Sequence, residues 1–184
     1  MRTVEVVAYD DRWPELFREE AAKIREALGG AVRDIHHIGS TSVPGMAAKP
    51  IIDILVEVDR IENVDARSSR MESLGYEARG ENGIPGRRYF CKGGDKRTHH
   101  VHVFQQGSGE VIRLLAFREY LTAHPAEAAA YRGLKLRLAE RCSADVAAYV
   151  AGKDAFVKEL QQRALSWWST RRDSEKYGSD QKRG

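Results

Sequence analysis

The chain has 184 residues, 42% of them hydrophobic and 31% charged, which suits one buried core and excludes a wholly disordered polymer. Formal net charge is +3, but residues 166–184 alone carry five basic side chains (Arg171, Arg172, Lys176, Lys182, Arg183) against three acids (Asp173, Glu175, Asp180). The remainder is close to neutral, so the sequence pI of 8.9 is weak evidence for a nucleic-acid partner.

Cys91 and Cys142 are too few and too far apart for a disulfide framework or a metal knuckle. No stretch approaches about 18 consecutive apolar residues, and the first residues lack the apolar core of a secretory leader. A cytoplasmic location with no membrane span is the expectation.

Along the chain, residues 4–7 alternate as a first strand. Asp10-Asp11 then offers an N-cap, Pro14 suits a first helical turn, and Trp13, Phe17, Ala21, Ile24 and Leu28 recur at helical spacing until Gly29-Gly30. Residues 32–38 and 51–58 have the pattern of strands. Residues 61–74 form a helix ended by Gly75. Three more strands are expected at 76–79, 87–92 and 99–105, between glycine-rich turns. From Glu110 the period becomes helical, with helices over about 110–123, 126–142 and 144–168. Strands with interleaved helices, followed by a run of helices, define an α+β fold with a mixed sheet and a helical C-terminal part. The expectation is a single domain over 1–168, its helical portion at about 110–168, and a flexible polar tail over 169–184.

The stretch HIGSTSVPGMAAKPIIDILVEV, residues 37–58, carries the densest chemistry. Alternation places Ile52, Ile54, Val56 and Val58 on one strand face and Asp53, Leu55 and Glu57 on the other, with the two acids roughly 13 Å apart along the strand. An acid directly after Ile51-Ile52 needs a charge partner, either a metal ion or Lys49. Upstream, Gly39, Ser40 and Thr41 supply a close backbone approach and hydroxyls suited to phosphate oxygens, and Lys49 can meet an anion. The same pattern also fits a plain turn between buried strands.

Two further constellations stand out. In RRYFCKGGDKRTHHVHVF, His100 and His102 share a strand face and can reach one ion or one phosphate. Arg87 and Arg88 lie on opposite faces of the preceding strand. The motif lacks the later acid of a cupin-like pattern and the third alternate histidine of a histidine-triad hydrolase. In the C-terminal helices, Lys135 follows Tyr131 and Lys153 follows Tyr149 on otherwise apolar stripes. Such lysines either snorkel to solvent or point into a cleft. Arg118 can also reach that cleft.

Taken together, residues 37–54, GIPGRRYF (83–90), THHVHV (98–103), AFREYL (116–121) and the two Tyr-Lys spacings resemble the GrpB family, uncharacterised proteins assigned to the nucleotidyltransferase-like superfamily. The resemblance spans roughly residues 3–168. It implies a fold like the palm of polymerase β-type nucleotidyltransferases, in which a Gly-Ser loop holds a triphosphate and acids at alternate strand positions bind Mg²⁺ or Mn²⁺. Gly39 and Ser40 match the loop and Asp53 the first acid. Leu55 stands where the second acid belongs, Glu57 lies about 6.6 Å further along the strand, and His100 or His102 occupies the place of the third.

Three functions follow as expectations. The first is a metal-dependent nucleotidyl or phosphoryl transferase. In it Asp53, Glu57, His100 and His102 are catalytic, with Asp53, Glu57 and His102 on the metal. Gly39, Ser40, Thr41, Lys49, Arg87, Arg88, Lys135 and Lys153 meet the phosphates of a nucleotide or phosphorylated small molecule. The second is a non-catalytic nucleotide- or anion-binding module with a regulatory role. Similar family members are appended to dephospho-coenzyme A kinase, which suits a protein partner. The third is histidine-assisted phosphoester hydrolysis by His37, His100 and His102.

Overall fold

The structure, a computed structural model, describes residues 4–180, with side chains through residue 171. Five strands, β1 (Val32–Ile38), β2 (Ile52–Val58), β3 (Tyr76–Ala78), β4 (Arg88–Lys92) and β5 (His99–Gln105), form one sheet in the order β1-β2-β5-β4-β3. β2 runs parallel to β5 and antiparallel to β1, while β4 is antiparallel to both β5 and β3. The mixed α+β architecture is therefore as the sequence indicates, and β2 lies between two partners, which explains its apolar character.

The alternation in β2 sorts its side chains as expected. Ile52, Ile54, Val56 and Val58 pack with Trp13, Ile24 and Leu28 of α1 (Trp13–Leu28) and with Met71 of α3 (Ser68–Ser73). On the opposite face Leu55 packs with Ile38, Phe104 and Val111. Glu20 is a buried acid on α1. It accepts hydrogen bonds from the Tyr76 hydroxyl and from Lys92 Nζ at 2.8 Å, so its charge is matched rather than stranded. Burial alone would raise its pKa, but these donors and Lys23 together bring it below the ordinary value.

The C-terminal helices α4 (Gly109–Ala123), α5 (Pro125–Arg141) and α6 (Val146–Asp180) build a second apolar cluster, with Ala116, Tyr120, Leu121, Tyr131, Leu160 and Ala164 closing over Val43 and Met46. Pro125 sits in the first turn of α5, where its missing N–H costs nothing.

Three elements differ from expectation. Residues 4–7 form no ladder and make one isolated bridge, Val7 to Ala48, because that stretch runs beside a loop rather than a strand. Residues 61–74 divide into α2 (Glu62–Asp65) and α3, since the apolar period there is too short to hold one helix. α6 continues helical to Asp180 where a tail was expected from residue 169; residues 181–184 lie outside those described.

Candidate functional site: a lysine-lined cavity beside Asp53

The loop between β1 and β2 folds around one close contact. Gly39 has φ of 71°, and a Cβ placed there would lie 2.6 Å from Asp53 Oδ2. Only glycine allows the backbone that near the carboxylate. Residues Ser40–Ser42 then make a 3₁₀ turn, closed by Ser42 Oγ donating to Gly39 O at 2.6 Å. Thr41 is buried, its hydroxyl 2.9 Å from His37 Nε2, and the His37 ring stacks on Phe17. Arg118 Nη1 donates to His37 O at 2.9 Å and ties the helical part to this loop. Burial takes the His37 imidazole down to about 4, although the Asp53 charge opposes it, so the ring is neutral at physiological pH.

Asp53 faces two imidazoles from the neighbouring parallel strand. Its Oδ1 lies 3.2 Å from His100 Nδ1 and 3.7 Å from His102 Nε2. Burial alone would raise the carboxyl, but hydrogen bonding and charge from both histidines outweigh it and hold Asp53 well below the usual range. Behind His102, Arg87 Nη1 approaches Nδ1 at 3.3 Å. A guanidinium only donates, so a neutral His102 accepts at Nδ1 and carries its proton on Nε2, toward Asp53. Arg87 is fixed by the carbonyls of Glu81 and Asn82 and by the Tyr89 ring.

The opposite wall is cationic. Lys135 is 2% exposed, donates to Ser40 Oγ at 2.9 Å and lies 4.6 Å from the centre of the Tyr131 ring. Lys49 and Lys153 approach the Tyr149 ring at 4.6 and 5.5 Å. These aromatic faces partly stabilise ammonium groups that have lost water. Burial, reinforced by the neighbouring Lys153 charge, lowers the Lys135 amine to about 7. Burial also lowers Lys153, against an opposing pull from Asp53. Ser40, Thr41, Lys49, Asp53, His100, Lys135, Tyr149 and Lys153 line a cavity of about 230 Å³.

The structure thus brings Gly39, Ser40, Thr41, Lys49, Asp53, His100, His102, Lys135 and Lys153 to one place, with Arg87 as a brace. It does not bring Glu57 or Arg88 there. Glu57 is four residues further along β2, roughly 13 Å at about 3.3 Å per residue, and its Oε1 contacts His36 Nε2 at 2.8 Å. Arg88 falls on the other sheet face and pairs with Asp65.

A magnesium pair of the kind the superfamily implies does not fit the donors at the cavity. One carboxylate, two imidazoles and three lysines stand there, whereas Mg²⁺ takes oxygen ligands. The position for a second acid is Leu55, fully buried in the apolar cluster.

Sequence spacing had marked Lys135 and Lys153. It missed Tyr131 and Tyr149 as cation-bearing faces, because that role arises only when α5 and α6 pack over the loop. The i, i+4 Tyr-Lys spacings were the available signal.

A mixed sheet with a Gly-Ser loop ahead of an acid-bearing strand, capped by helices that supply lysines, defines a nucleotidyltransferase-like fold around a lysine-lined cavity. The chain belongs to the GrpB family, whose description is "GrpB protein" and which matches residues 3–163. It is 48% identical over 166 residues to UPF0157 protein YqkA of Bacillus subtilis (strain 168), covering 90% of this chain and 48% of that protein, so it spans about half the length of this relative. It is 27% identical over 190 residues to dephospho-CoA kinase of Mycolicibacterium paratuberculosis (strain ATCC BAA-968 / K-10), covering 89% of this chain and 46% of that protein. The conserved protein GrpB from Enterococcus faecalis superposes with a TM-score of 0.86 at 46% identity, over 89% of this chain and 99% of that one. Cid1 in complex with its short product ApU superposes with a TM-score of 0.52 at 12% identity, over 74% and 43% of the respective chains, which shows likeness of fold.

Proposed function

We propose that the protein binds the phosphate end of a nucleotide or phosphorylated small molecule in the cavity beside Asp53. The observation that carries this reading is Lys135, buried to 2% exposure and bonded to Ser40, with Lys153 and Lys49 beside it. Burying a lysine without a carboxylate of its own is costly, and an anionic ligand relieves that cost. At about 230 Å³ the cavity is smaller than the roughly 300–1,000 Å³ of complete ligand pockets. It therefore receives the anionic end, and the rest of the ligand lies toward the mouth.

A second reading, metal-dependent nucleotidyl or phosphoryl transfer, draws on Asp53 and its two imidazoles, whose nitrogens lie 3.2 and 3.7 Å from one carboxylate oxygen. One borderline ion such as Mn²⁺ suits that donor set better than a magnesium pair.

A thermal-shift panel of nucleoside triphosphates, diphosphates and phosphate, with EDTA, Mg²⁺ or Mn²⁺, separates the two. A ligand at a hundredfold its Kd stabilises by about 2.7 kcal/mol, or about 5–10 °C for a chain of this size. Metal-independent stabilisation that disappears in Lys153→Ala supports anion binding. Stabilisation that needs the metal and disappears in Asp53→Ala supports the second reading. No shift with any phosphate compound contradicts both.

A further inference from the structure

We infer that Asp34, His36 and Glu57 form a second ligand site, a divalent transition-metal centre of the Zn²⁺ class that clips edge strand β1 to β2. Antiparallel pairing sets Asp34 directly opposite Glu57, and His36 follows two residues on, opposite Leu55. All three side chains therefore rise from one sheet face. One donor atom from each lies within 4.8 Å of the others. His36 Nε2 is 2.8 Å from Glu57 Oε1 and 3.6 Å from Asp34 Oδ2. Four donors around Zn²⁺ at about 2.1 Å stand about 3.4 Å from one another in a tetrahedron, so these spacings bracket those of an occupied site.

Charge points the same way. Glu57 is 9% exposed, yet its partner is His36 within the same group. Among the described residues no lysine or arginine reaches within 4.0 Å of either Asp34 or Glu57. Two acids, one nine-tenths buried, thus share a single imidazole. That balance favours a dication over an isolated ion pair. One imidazole with two carboxylates suits Zn²⁺ or Mn²⁺ better than the all-oxygen preference of Mg²⁺. On binding, the ion takes the place of the His36 Nε2 proton, which leaves to solvent, and water fills the remaining position. The β-bulge between Val32 and Asp34 is where β1 departs from regular pairing, so the ion would pin the strand next to its weakest register.

This centre is separate from the cavity. Leu55, fully buried and packed with Ile38 and Phe104, stands between Glu57 and Asp53 on β2.

The test is calorimetric titration of chelator-treated protein with Zn²⁺, alongside the visible absorption of the Co²⁺ form. The wild type and Asp53→Asn are expected to bind one ion per chain. Asp34→Asn, at an exposed position that leaves the fold intact, should weaken binding at least tenfold. His36→Gln, which keeps a donor toward Glu57, should abolish it together with the Co²⁺ bands. Absence of stoichiometric binding overturns the inference. So does binding unchanged in Asp34→Asn and His36→Gln, or binding lost in Asp53→Asn while Asp34→Asn retains it.

Discussion

Replacing Lys135 by methionine is expected to stabilise the protein near neutral pH while weakening its anion affinity. Methionine fills a similar volume and carries no charge into the cavity wall. Burial and the Lys153 charge take the Lys135 amine from its ordinary 10.5 to about 7. At 1.36 kcal/mol per pH unit, that displacement is worth about 5 kcal/mol against the charged form. The hydrogen bond to Ser40 that the variant loses is worth about 1 kcal/mol. The sign follows from proton counts. Between about 7 and 10.5 the unfolded chain holds a proton that the folded chain has released, so wild-type stability rises with pH across this window. That contribution is full above 10.5 and is lost as pH falls through 7. The variant has no such contribution. Urea unfolding of both proteins near pH 6, 8 and 10 should therefore give a stability difference of about 2–4 kcal/mol in favour of methionine at the acid end, closing toward zero at the alkaline end. Titrating groups that do not interact with Lys135 cancel in the difference, and loss of its repulsion with Lys153 adds to the gap at the acid end. A variant less stable than wild type near pH 6, or a gap that ignores pH, refutes the reasoning.

Sulfate keeps its charge across this range, so a change in its affinity reports ionisation of the cavity wall. It should be greatest below pH 7 and fall as Lys135 loses its proton, and Lys135→Arg should flatten that fall when followed by calorimetry. Gly39→Ala forces a Cβ to 2.6 Å from Asp53 Oδ2 at a φ of 71°. About 1–3 kcal/mol of stability should be lost, measured by denaturation, together with nucleotide-induced stabilisation. Leu55→Asp restores the acid that the superfamily pattern requires, but at a fully buried position among Ile38, Phe104 and Val111. It should cost about 4 kcal/mol or more and create no metal-dependent activity; a stable, metal-responsive variant would contradict the placement of that side chain.

Much of the fold was legible because β2 alternates cleanly and the C-terminal period is helical. Strand partners were less so: the sequence does not say that β5 runs parallel beside β2, and that pairing sets Asp53 opposite His100. Lys135 and Lys153 were visible as cations on apolar stripes, yet nothing local distinguishes snorkelling from burial. The answer depends on α5 and α6 closing over the Ser40 turn. Glu57 illustrates the converse. Its position on the Asp53 face was correct, but distance along the strand and the edge-strand residues Asp34 and His36 place it in a different cluster. Residues 4–7 misled because alternation over so few positions does not require a ladder partner.

The most direct test of the central claim is calorimetric titration of a nucleoside triphosphate into wild-type protein and Lys135→Met, both in EDTA. Removing a charge-assisted contact of about 1.5–3 kcal/mol should weaken binding roughly ten- to a hundredfold in the variant, while the wild type binds one ligand per chain without metal. Equal affinity in the two proteins, or no binding by the wild type in EDTA, would contradict the assignment of the lysine-lined cavity as a phosphate site.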